Sequence, residues 1–177
     1  HSNIRVGTSI GPSCKIGGEV EETIFQGFSN KQHFGFMGHA YVAEWVNMGA
    51  GVTNSDLKNN YGNVKIKYMD NETDTGRMFV GCAIADHTKI GIGVLINTGS
   101  VFGACSNIFG GNLTHKYVPS YAWGNSHKLI KYDPEKAIKT AKVVMNRREV
   151  EMEDIDADLF RKVFELTEAE RSCCGVS

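Results

Sequence analysis

Proline is scarce in this chain, three in 177 residues, and the cysteines are odd in number and ill-spaced for metal. No two of Cys14, Cys82, Cys105, Cys173 and Cys174 form a CxxC pair, which argues against a zinc site. Free thiols in a reducing compartment, the cytoplasm, are the simplest reading. No apolar run approaches the ~20 residues of a membrane span. The N-terminus lacks the charged-then-apolar layout of a secretory signal. Nineteen basic residues against twenty acidic leave no basic stripe for nucleic acid and no polybasic segment for anionic lipid. What remains is an ordinary globular composition, 41% hydrophobic and 22% charged, long enough to bury a core. The chain opens on His1, and its pattern begins within a few residues, as expected of a piece of something longer.

Glycine is the residue in excess: there are twenty, mostly before residue 112. They accompany a repeat. Ile4, Ile10 and Ile16 are six apart, as are Val42 and Met48, and Met78, Ile84, Ile90, Ile96, Phe102 and Ile108 continue the spacing. Six chosen positions would all be apolar by chance about half a per cent of the time, so the spacing is a repeat. Glycine often follows directly, as in "IG" at 10–11, 16–17 and 90–91. Neither the helical period of 3.6 nor strand alternation at 2 gives this pattern. A short strand and a tight turn per unit does, and three units make a triangular coil stacked on the next through parallel hydrogen bonds. The expected fold is a left-handed parallel β-helix, over residues 1–124. A β-sandwich is the alternative, but its strands alternate at period two.

Between residues 17 and 36 the phase slips, which places an irregular turn there. Residues 55–77, "SDLKNNYGNVKIKYMDNETDTGR", are polar and read as a loop or arm projecting from the coils. "HKYVPSYAWG" closes the last coil. Residues 125–177 then form a helical extension. "DPEKAIKTAKVVMNRR" has Asp133 as N-cap and Pro134 at the first helical position. "MEDIDADLFRKVFELTEAER" carries Ile155, Leu159, Val163, Phe164 and Leu166 at helical spacing. This hairpin is expected to cap the open end of the stack, where strand edges would otherwise be exposed.

The block "GGEVEETIFQGFSNKQHFGFMGHAYVAEWVNMGAGVTNSDLKNNYGNVKI", continued by "ADHTKIGIGVLINTG", "SNIFG" and "PSYAWG", resembles a known family. It is similar to the acetyltransferase half of the bifunctional N-acetylglucosamine-1-phosphate uridyltransferase/glucosamine-1-phosphate acetyltransferases, in their sugar-nucleotidyltransferase-like branch. The resemblance covers roughly residues 1–125 and implies a homotrimer that transfers acetyl from acetyl-CoA to an amino-sugar phosphate, with no metal. It also implies a nucleotidyltransferase domain N-terminal to this chain; uridylyl transfer itself is not ascribed to these residues.

His33 falls on the family's catalytic histidine, implying a general base toward the sugar amine. The chemistry is sensible, because an amine must lose a proton as it attacks a thioester, and imidazole accepts one near neutral pH. Asn47 matches a sugar-phosphate contact, and Asn60 and Tyr61 match a pair near the acetyl group. The Asn60 amide could donate to the developing oxyanion. Arg5 and Lys65 are the cations expected at the sugar phosphate. Either Glu19 or Glu21 corresponds to an acidic substrate contact, and the phase slip leaves that choice open. Asn30 and Lys31 are expected as polar company for His33 in the substrate groove. Backbone groups near Ala50, Gly93 and Gly110 are expected to hold the cofactor. The chain departs from the family at Phe36, where a tyrosine is usual, and at Ile92, where a serine is.

Two other readings compete. His33, His39 and His87 invite comparison with the γ-class carbonic anhydrases, metalloenzymes of the same fold. The His33–His39 interval is one residue longer than that family's, and Gly35 and Gly38 put a turn within it. The departures at Phe36 and Ile92 suit a non-catalytic trimerisation or regulatory domain of a nucleotidyltransferase. On the acetyltransferase reading, Gly35, Met37 and Gly38 are scaffold, and His39 is a turn or subunit-interface residue.

Overall fold

The computed structural model of the chain describes residues 2–177. Its backbone winds as a three-sided prism of short strands, a left-handed parallel β-helix followed by helices. The first face carries Ser2–Ile4, Gly18–Glu21, Phe36–Gly38, Thr53–Asn54 and Leu95–Ile96. The second carries Ser9–Ile10, Ile24–Phe25, Tyr41–Val42, Cys82–Ile84, Ser100–Phe102 and Tyr117–Val118. The third carries Lys15–Ile16, Asn30–Lys31, Asn47–Met48, Lys89–Ile90, Asn107–Ile108 and Ala122–Gly124, closed by the antiparallel Leu129–Lys131. One side chain per strand points inward. Val20, Met37, Ile96, Phe25, Val42, Ile84, Phe102, Met48, Ile90 and Ile108 are each at most 2% exposed. The six-residue period is therefore the coil itself. Met78 lies outside the coils and is 42% exposed, and Ile4 and Ile10, on the end coil, keep the period but are each 43% exposed.

The three edges of the prism differ in chemistry. Where the third face turns into the first, Gly18, Gly35, Gly51, Gly93 and Gly111 all have positive φ. A left-handed residue costs glycine little, so this glycine edge explains the composition. At Gly35, φ is +125° and a Cβ would lie 2.1 Å from the Val52 carbonyl oxygen. Where the second face turns into the third, Ser13, Phe28, Trp45, His87, Cys105 and Tyr121 take that left-handed position instead. Side chains here cover one another: Phe28 stacks on Trp45 at 4.2 Å, and Trp45 on His87 at 5.9 Å.

The helices cover this aromatic edge. Helix α1 (Pro134–Asn146) starts at Asp133, whose side chain accepts from the Lys136 amide, and buries Ala137, Ile138, Ala141 and Met145. Helix α2 (Asp154–Leu166) buries Phe160. These residues share one core cluster with Trp45, Cys105 and Tyr121. At the far end, Arg148 donates to the Ser13 carbonyl at 2.9 Å, back on the first coil. The hairpin thus runs along the side of the prism and does not cap its end. The physical reason is the aromatic column, which is the apolar surface most in need of cover. Helix α3 (Glu168–Cys173) follows a break at Thr167.

The third edge, between the first and second faces, carries the inserted arm. Its Lys65–Tyr68 and Asn71–Asp74 strands form an antiparallel hairpin. The arm folds back on the prism instead of projecting from it: Val64 is fully buried, and Tyr68 packs edge-on against Tyr117 at 5.4 Å. Backbone pairing on the first face is interrupted between Phe36–Gly38 and Thr53–Asn54, where side chains take over. The Thr53 hydroxyl accepts from the Phe36 amide, and the Asn54 amide group brackets Gly38, accepting from its N–H and donating to its carbonyl.

Candidate functional site

His33 sits on the glycine edge, just past the Asn30–Lys31 strand, with its side chain exposed. Its turn is held from inside. Lys31 takes an inward position on its strand, is 1% exposed, and donates from Nζ to the carbonyls of Gly17 and His33, each at 3.0 Å. Burial lowers its pKa to about 8. Lys31 therefore does not share the groove with His33, contrary to the sequence expectation. The six-residue rhythm makes position 31 an inward rung between Ile16 and Met48, whatever residue occupies it.

Further along the same edge the turns stack. The Gly51 amide donates to the Phe34 carbonyl at 3.0 Å, and the Gly93 amide to the Ala50 carbonyl at 2.8 Å. His33, Ala50, Gly93 and Gly110 thus lie on successive coils of one edge, about 4.8 Å apart per coil. Phe34 at 71% and Ile92 at 73% exposure add apolar surface beside them.

The other candidate residues lie elsewhere. Arg5, Glu19, Glu21, Asn60, Tyr61 and Lys65 belong to the arm edge and its neighbouring strands, across the first face from His33. Arg5 Nη1 bonds Glu21 and lies 3.3 Å from Glu19, and these contacts raise the arginine's pKa. Both carboxylates face the same cation, so their geometry does not choose between them. Glu21, His39 and Asp56 follow one another on three coils, with ligand atoms within 4.8 Å of each other. His39 Nδ1 is 2.8 Å from Asp56 Oδ2, and its ring stacks on Phe79 at 5.2 Å. His39 adopts φ 49° in the turn. Asn60 accepts the Gly62 amide at 3.1 Å, Tyr61 is 66% exposed, and Lys65 lies 3.5 Å from Glu72.

Asn47 and Asn30 face outward on the third face, Asn30 donating to Asn47 Oδ1 at 3.3 Å. Asn47 is exposed, whereas Asn30 also accepts from Arg148 Nη2 at 2.6 Å and is held under the end of the hairpin. Arg148 escaped the sequence reading because 118 residues separate it from Asn30. Asp56 was missed too, as nothing local ties it to His39. One chain therefore presents two separate groupings: His33 with a line of backbone groups on the glycine edge, and cations, carboxylates and amides on the arm edge.

No protein-family model matches the chain. It is 31% identical over 120 residues to a bifunctional sugar-1-phosphate nucleotidylyltransferase/acetyltransferase of Sulfurisphaera tokodaii, covering 67% of this chain and 30% of that protein. It is 30% identical over 104 residues to the bifunctional protein GlmU of Gloeobacter violaceus, covering 56% of this chain and 21% of that one. Among solved structures, the acetyltransferase domain of PglB from Neisseria gonorrhoeae aligns with a TM-score of 0.44 at 14% identity, over 72% of this chain and 56% of that one. The chain spans less than a third of the length of the curated relatives it matches. Its hexapeptide coil and this sequence similarity make it a relative of the bifunctional sugar-1-phosphate nucleotidylyltransferase/acetyltransferases.

Proposed function

We propose that this chain is an acetyl-CoA-dependent N-acetyltransferase acting on an amino-sugar phosphate, glucosamine-1-phosphate first among them, in nucleotide-sugar synthesis. The observation that carries it is the exposed His33 at the head of the stacked glycine edge. An extended acyl thioester would lie along Ala50, Gly93 and Gly110. The sugar would meet Arg5, Glu19 or Glu21, Asn47 and Lys65. Of these, Arg5, Glu19, Glu21 and Lys65 belong to the arm edge, across the first face from His33, so the site is shared between prisms of a homotrimer, glycine edge against arm edge. A regular coil has no deep pocket of its own, and a groove between chains supplies one.

The amine nitrogen attacks the thioester carbonyl while His33 accepts its proton. The tetrahedral oxyanion is held by the Asn60 amide or a backbone N–H, and Tyr61 lies beside it. Collapse breaks the C–S bond, and the imidazolium returns its proton to the leaving thiolate. No metal is required. Holding both substrates in one groove supplies much of the rate. We place the protein in the cytoplasm, joined to a nucleotidyltransferase domain like that named in its relatives. Release of coenzyme A thiol from acetyl-CoA and glucosamine-1-phosphate tests the reading. His33→Ala should lower kcat about 100-fold or more. Equal rates for the two proteins, or no turnover with any amino-sugar phosphate, would sink it. The second outcome would favour a trimerisation domain, the role that Phe36 and Ile92 suit.

A further inference from the structure

A cavity of about 480 Å³ opens between the arm hairpin, the last coil and the C-terminal turn, sharing Lys116 with the arm cavity beside Asn60. Three separate segments deliver its charges. Lys67 and Asp70 come from the arm, His115 and Lys116 from the approach to the Tyr117–Val118 strand, and His127 and Lys128 from the turn before the closing antiparallel strand. Three lysines and two histidines thus face one carboxylate, in a chain whose formal net charge is −1. Among the described residues, none of the three lysines forms a salt bridge, whereas Lys65 and Lys162 do.

Tyr117 lines the cavity and is 5% exposed, its hydroxyl buried beside the Glu170 carboxylate. Burial, then the nearby Glu170 carboxylate, raises its pKa, so the phenol stays a neutral donor. Glu170 already accepts from the Tyr68 hydroxyl at 3.3 Å and the Ser120 amide at 2.9 Å. Ammonium groups on flexible stems suit phosphate as point charges. The volume is that of a small-molecule site, larger than one phosphate needs.

We infer that this cavity binds the diphosphate of a nucleotide-sized ligand. Two sources share that chemistry: a free nucleoside diphosphate (or its sugar ester) and coenzyme A. Isothermal titration with inorganic pyrophosphate, uridine diphosphate and coenzyme A separates them, using wild type, Lys67→Ala/Lys128→Ala and Lys67→Arg/Lys128→Arg. Lys116 is spared because it also lines the arm cavity beside Asn60. Pyrophosphate and uridine diphosphate should bind wild type, weaken at least about tenfold in the alanine variant, and recover in the arginine variant. Parallel weakening of coenzyme A assigns the cavity to the cofactor; unchanged coenzyme A binding assigns it to a free nucleotide. No heat with pyrophosphate or uridine diphosphate up to about 10 mM overturns the inference, as does equal affinity in a folded alanine variant. Binding is read directly, so the result stands apart from whether acetyl transfer is the chain's activity.

Discussion

At position 31 an ammonium group occupies a rung that hydrocarbon fills elsewhere. Lys31 ties the Gly17 and His33 carbonyls of adjacent coils together, so the His33 turn is anchored by a charge inside the prism. The arrangement has a pH signature. The folded-state pKa of about 8 lies below the ordinary 10.5, so between those values the unfolded chain holds the extra proton and stability rises with pH. The burial penalty is fully present below pH 8 and relieved as pH climbs toward 10.5. Urea denaturation of wild type and Lys31→Met should show the wild type gaining on the variant across that window, by at most about 3 kcal/mol. A constant difference would mean that Lys31 is solvated. At this scale the sequence was only partly legible. His33 could be placed by its neighbours, but a lysine in a polar run reads as solvated, and only the coil phase turns it inward.

The helices and the aromatic edge form the next scale. His87 lies between Trp45 and Phe160, with ring centroids 5.9 and 4.7 Å away, and its buried Nδ1 has no partner. Burial first, then the Lys89 charge, lowers its pKa to about 3. Below pH 6.5 the unfolded chain takes a proton that the folded one refuses, so this contribution to stability is lost as pH falls toward 3. The loss is at most about 5 kcal/mol. Acidification should loosen the hairpin from the prism, seen as a change in Trp45 fluorescence, and His87→Leu should flatten the response. If the variant loosens at the same pH, other groups govern the contact. The first helix was readable from its Asp133 cap and Pro134. The second was legible only in part: Val163 and Phe164 pack against the aromatic-edge core, but Ile155, Leu159 and Leu166 are 60–72% exposed, and the buried Phe160 went unread. Apolar residues surround that helix, and the side that docks is chosen by the aromatic column, far away in sequence. Its break at Thr167 was also hidden. There the hydroxyl donates to the Val163 carbonyl at 2.7 Å, and Arg171 lies 4.0 Å over the Phe164 ring.

For the whole molecule, the six-residue period made the prism legible, since one inward residue per strand is a strictly local rule. The division of the candidate site into two halves was not legible, because which edge a residue occupies depends on counting coils through the phase slip and the arm. If the halves meet between chains, sedimentation velocity should give three times the chain mass. Leu95 is 42% exposed on the first face, and Leu95→Arg should yield a folded monomer lacking acetyl transfer. A monomeric variant with full activity would separate assembly from catalysis.

The hairpin along the aromatic edge has a further consequence, one of symmetry. A triangular prism could meet its neighbours along any of three edges, and mixed choices would propagate into an open filament. With one edge clasped by α1 and α2 and another carrying the folded-back arm, the glycine edge is left as the bare one. If copies pair glycine edge to arm edge, each chain has one edge of each kind to offer, and such head-to-tail contacts make a closed ring when the rotation between copies closes and a growing fibre when it does not.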